Sequence, residues 1–179
     1  MGVVISTSAL FIWEFIMLVR SKKILLIAIC FFITKQGINA QATISVSGSW
    51  SLTIDASDLQ AGAGSDLISS YKSVANAVQI DISNAKKIYW RVDIKKVNSN
   101  WHNSFKLYIR RTSDGTGVRK SWVSGGTSFQ EITDTDQSYF NGYHNRNNIA
   151  NRLKLDNVSI QIPPDTYLTT VCYTVIQTD

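Results

Sequence analysis

At 179 residues and a formal charge of +5, the chain has room for one domain of ordinary size. The charge is uneven: residues 1–40 carry four cations against Glu14, and the remainder carries fourteen cations against twelve carboxylates. A domain so close to balance excludes a general electrostatic attraction to nucleic acid.

Arg20, Lys22 and Lys23 precede an unbroken apolar run, Ile24 to Ile33. As a helix this run reaches only about 15 Å, half of a bilayer core, which suits the apolar region of a signal peptide better than a membrane span. The small residues Ala40 and Ala42 then allow cleavage after either one. Residues 1–42 are therefore expected to be a signal helix, with an uncleaved segment as the one route to a membrane. Residues 1–16 form a second apolar stretch broken by Glu14, and a start at Met17 gives a conventional signal peptide. After cleavage Cys172 stands alone. Its surroundings, Val171, Tyr173 and Val175, suit a packed thiol, and an intermolecular bridge is the other reading.

From residue 43 onward, period-2 alternation dominates. Thr43 to Gly48 is a short first strand with Ile44 and Val46 on one side. Trp50, Leu52 and Ile54 predict a strand over 50–55, and Val78, Ile80 and Ile82 another. Ile88, Trp90, Val92 and Ile94 share a buried face, and so do Phe105, Leu107 and Ile109. Val118, Lys120 and Trp122 make a shorter strand, and Thr127 to Ile132 another. Leu153 and Leu155 alternate, and Val158, Ile160 and Ile162 continue in the opposite parity, which places a bulge or tight turn at Asp156–Asn157. Tyr167 to Ile176 is the last strand, rich in Thr, Val and Tyr. Asp114-Gly115, Gly125-Gly126 and Asn141-Gly142 are read as turns, Pro163-Pro164-Asp165 as a break, and 56–76 as a loop with a helical turn or two. Eight or nine short strands with this punctuation predict a single all-β domain over 43–179, an antiparallel β-sandwich.

The stretch from Ile160 to Val175, with Pro163-Pro164-Asp165, Tyr167 and the alternating Thr169-Thr170-Val171-Cys172-Tyr173-Thr174-Val175, resembles the closing segment of secreted fimbrial and spore-coat-U-like subunits. The resemblance implies an immunoglobulin-like sandwich whose N-terminal extension completes the sheet of a neighbouring subunit. Here Asp165-Thr166 stands where that family has a Gly before the Tyr, and the family's cysteine pair is missing.

No catalytic set is expected. His102 and His144 lie on polar stretches without metal-ligand spacing, and no serine sits in a Gly-x-Ser-x-Gly elbow. Asp134 and Asp136 with Asp114 and Glu131 offer oxygen ligands for calcium, but Tyr139 stands where an EF-hand loop needs Gly. Neither a metal nor a cofactor is called for. The pairs Lys95-Lys96 and Arg110-Arg111, with Tyr89, Arg91 and Tyr108, could serve a single strand of nucleic acid; export argues against this and favours charges that discourage edge pairing. Trp101, Trp122, Tyr139 and Tyr143, beside the run Asn145 to Asn148, are the candidate sugar-stacking rings. Ile44 and Val46 are the candidate side chains of an assembly strand, with a strand of the chain's own domain as the other reading. The sequence thus predicts a secreted or periplasmic, cell-surface structural or adhesive subunit without catalysis. Its partners would be itself or other surface subunits. A small extracellular carbohydrate-binding module, with polysaccharide as partner, is the alternative.

Overall fold

The computed structural model describes residues 41–179. The expected signal segment therefore lies, apart from its last two residues, outside the described residues. Within them there is no α-helix. Two antiparallel sheets face each other as a sandwich.

The first sheet is built around β3 (Val78–Ser83) and β10 (Arg146–Asp156), flanked by β1 (Thr43–Gly48) and β5 (Lys106–Arg111). Three short strands, β2 (Ser70–Lys72), β6 (Thr116–Gly117) and β8 (Gln130–Glu131), complete it. The second sheet runs in the order β11 (Leu168–Thr178), β4 (Tyr89–Asn100), β9 (Gln137–Tyr143), β7 (Trp122–Gly125). The chain changes sheet from β3 to β4, from β4 to β5, and at every connection from β6 through to β11. Each sheet therefore presents one face inward, and the period-2 pattern follows.

The inward faces are those the alternation marks. Ile80 and Ile82 of β3, Trp90, Val92 and Ile94 of β4, and Ile109 and Ile149 are all fully buried. The Trp90 indole donates from Nε1 to the His144 carbonyl at 2.8 Å, so its one polar group is satisfied inside the core.

Four expectations are corrected. Residues 50–55 are not a strand. The segment forms no ladder, and a 3-10 turn follows at Ala56–Asp58, capped by the Asp55 carboxylate on the Ser57 amide. Its side chains turn toward a cleft described below. Asn141-Gly142 is not a turn but lies within β9. A side chain at 142 would overpack the core, because its Cβ would lie 2.4 Å from the Trp90 ring. This glycine marks a close approach rather than a bend.

Val158, Ile160 and Ile162 do not continue a strand. β10 stops at Asp156, and Asn157 takes φ 65, which turns the chain away from the sheet. Lastly, Val118 to Trp122 is split by Lys120 at φ 74, so β6 ends at Gly117 and β7 begins at Trp122.

Asn147 and Asn148 belong to β10, where one extra residue between Arg146 and Ile149 shifts the register against β3, and Asn147 pairs with Thr116 of β6. The loop 56–76 matches expectation in part, with its single 3-10 turn, but it also holds β2.

Candidate functional site

An apolar cleft of about 820 Å³ lies between the sheets. One wall comes from β1, β5 and β10 through Val46, Leu107, Leu153 and Leu155. The other comes from β11 through Leu168, Val171 and Tyr173, with Trp101 just beyond β4. Trp50, Leu52 and Ile54 line it from the unpaired 49–55 segment, and Ile162, Pro163 and Pro164 line it from the segment that leads into β11. The volume lies in the range of small-molecule sites, and the lining is mainly aliphatic and aromatic with Ser, Thr and Asp165 among it.

Two polar groups on this lining have no partner. The Tyr173 hydroxyl and the Trp101 indole nitrogen are both buried without a hydrogen bond. Burial pushes the Tyr173 phenol upward, so it stays neutral.

The cleft runs beside an open edge. β11 pairs with β4 along its whole length and with nothing on its other side among the described residues. β1 is the corresponding edge of the first sheet and lies on the same flank. Eleven residues rich in Thr and Val thus leave one row of backbone groups unpaired, which is the usual template for strand addition.

The candidate assembly strand pairs within its own domain. All six residues of β1 are in register with β3, from Thr43 opposite Ser83 to Gly48 opposite Val78. Ile44 and Val46 pack half-buried on the core, while Thr43, Ser45 and Ser47 are exposed.

The four candidate stacking rings separate. Tyr139 is 4% exposed, and its hydroxyl donates to Asn151, so it is a core residue and presents nothing to a ligand. Trp101 is half-buried on the cleft wall against Phe105, with Lys96 Nζ 5.4 Å from its ring.

Trp122 and Tyr143 do come together, with a partner not counted among the stacking rings. They face each other across β7 and β9, and Tyr143 faces Tyr89 across β9 and β4. The Tyr89 ring lies 4.5 Å from Tyr143 and 6.2 Å from Trp122. The three form one row on the outer face of the second sheet. The signal was the strand register: Tyr89 alternates outward next to Trp90.

Other candidates hold structural positions. His144 turns the corner between the sheets, with its Nδ1 accepting from the Lys87 amide. Asn145 accepts from the Ala85 amide, so the start of this asparagine run closes a turn. His102 Nδ1 accepts from the Ser104 amide. Asp114, Asp136 and Glu131 each pair with a cation, Arg111, Lys95 and Lys106 respectively. Among the described residues no three His, Cys, Asp or Glu side chains are placed to hold a metal ion.

No protein-family model matches the chain, and no curated protein and no solved structure matches it.

Proposed function

We propose that the protein is an exported, non-catalytic structural or adhesive subunit of the cell surface, an immunoglobulin-like sandwich that assembles through the free edge of β11. The observation that carries this reading is the unpaired eleven-residue edge beside an apolar cleft. An extended segment from a second copy would pair with the β11 backbone and place alternate apolar side chains in the cleft. Because β1 is already held by β3, the donated segment in this reading is 49–55. It has the alternation Trp50, Leu52, Ile54 and no ladder of its own. Cys172, half-buried in the same strand, lies where two joined copies would meet.

The test is the solution mass of wild type and of Leu52→Lys, measured by light scattering over a range of concentrations. Concentration-dependent oligomers in wild type, lost in a variant of unchanged melting temperature, are expected. A wild type monomeric at every concentration contradicts assembly. Export is tested by N-terminal sequencing of the envelope or medium fraction, where the chain should begin near Gln41 or Thr43.

A second reading rests on the row Tyr89, Tyr143 and Trp122. Three adjacent rings on a sheet face, with Asn141 and Ser124 in the next cross-strand row, suit stacking on a neutral sugar chain. Trp122→Ala should then abolish retention on a polysaccharide column that holds wild type.

A further inference from the structure

The outer face of the first sheet has three cross-strand rows that the assembly reading does not use. Lys106 stands opposite Asp156, Tyr108 opposite Lys154, and Arg110 opposite Arg152. Lys72 of β2 stands opposite Lys154 on the other side, and Glu131 of β8 opposite Tyr108. Five cations thus share these rows with two carboxylates, and both carboxylates are taken. Lys106 holds Glu131 at 2.8 Å, and Lys154 holds Asp156.

Arg110 and Arg152 are left over. Among the described residues neither forms an ion pair, and each has an Nε–H that is buried without an acceptor. Like charges directly opposite on paired strands destabilise a sheet, and a carboxylate at either position would have relieved the repulsion. Directly opposed residues stand only about 4.5–5.5 Å apart at Cα, so a single tetrahedral or planar anion can bridge both guanidiniums. Lys72 is exposed and adds a third uncommitted cation in the neighbouring row.

We propose that this face binds an acidic polysaccharide, with Arg110 and Arg152 holding one sulfate or carboxylate between them and Lys72 meeting another. The aromatic rings of the face favour this class over single-stranded nucleic acid. Lys154 Nζ sits 4.2 Å from the Tyr108 ring centre, and the Arg110 guanidinium 4.9 Å from that of Phe129. Rings already covered by cations are not presented to bases, which need open stacking platforms. The rows also carry no exposed large apolar side chain that could enter a bilayer. The inference is independent of assembly at β11, which lies in the other sheet.

The experiment measures binding of the protein to dextran sulfate and to uncharged dextran, with a single-stranded DNA and phosphatidylglycerol vesicles at equal anionic charge and ionic strength. Wild type should bind dextran sulfate, ignore dextran, and weaken as salt is raised. The double variant Arg110→Gln, Arg152→Gln should lose affinity by on the order of tenfold or more, as expected for two charge-assisted contacts. Its melting temperature should not fall, because a repulsive pair has been removed. The single variants read the same loss in smaller steps if the double variant expresses poorly. Lys95→Gln, on the second sheet, should bind as wild type does. Equal affinity of wild type and the Arg110 and Arg152 variants overturns the proposal. So does equal binding to dextran, and so does tighter binding to the DNA or the vesicles.

Discussion

The Tyr139 hydroxyl donates a 2.8 Å hydrogen bond to Oδ1 of Asn151, joining β9 of one sheet to β10 of the other through the middle of the core. Asn151 is fully buried and passes its amide on to the Ile149 carbonyl. Tyr139 reaches inward because the pairing of β4 with β9 slips by one residue between Val92 and Asp93. Tyr139 is the extra residue, and both it and Phe140 end up buried. Tyr139→Phe leaves the Asn151 oxygen without its donor, at a cost of about 1–3 kcal/mol. Chemical denaturation checks this. Tyr139→Phe combined with Asn151→Leu should recover part of the loss, because neither polar group then remains unpaired.

Trp90 fills the centre of the core. Trp90→Ala should cost about 3–5 kcal/mol, the range for emptying a large aromatic site, and that is enough to unfold a domain of ordinary stability. Gly142→Ala attacks the same contact from the other side. Its Cβ would meet the Trp90 ring at 2.4 Å, and overpacking of this kind costs roughly 1–3 kcal/mol. A wild-type denaturation midpoint in either variant would contradict the packing described.

Asp66 ties the loop before β2 to the segment after β10. It accepts from the Ile160 amide at 2.8 Å and from the Leu67 amide, and also from Ser159. The Ile160 amide, followed by that of Leu67, holds its carboxyl below the ordinary value of 3.8. Asp55, through Ser57, and Asp165, through Asn100, are lowered in the same direction. A carboxylate with a depressed folded pKa is protonated first in the unfolded chain. Its contribution is therefore full above the unfolded pKa and is lost as pH falls through the folded one. The melting temperature should hold from neutral pH down to about 4 and drop below that. Asp66→Asn should lower the plateau and make the acid limb shallower. A limb of identical shape in the variant would show that Asp66 contributes nothing to it.

The strands readable in the sequence are those with one uninterrupted apolar face. Ile80 and Trp90 are each flanked by apolar residues two positions away, and Ile109 follows Leu107 and Phe105. The burial of β3, β4 and the start of β5 therefore follows from alternation; the buried Arg111 that ends the β5 face does not. β9 was hidden because its bulge places Tyr139 and Phe140 side by side and because Gly142 serves the Trp90 ring rather than a bend. The segment 50–55 has the pattern of a strand but finds no backbone partner, which no local pattern can report. Site residues divide in the same way. Trp122 and Tyr143 were visible as aromatics, whereas their meeting with Tyr89 depends on strand register. Arg152 carried no local signal, since its meaning comes from standing opposite Arg110.

Hydrogen–deuterium exchange along β11 tests the central claim most directly, because it reads the edge that assembly would cover. Amides of Leu168–Thr178 that do not bond to β4 should exchange quickly in dilute protein. They should become protected as concentration rises, together with residues 49–55, while β4 stays unchanged. Exchange along β11 that is the same at every concentration would contradict assembly through this edge.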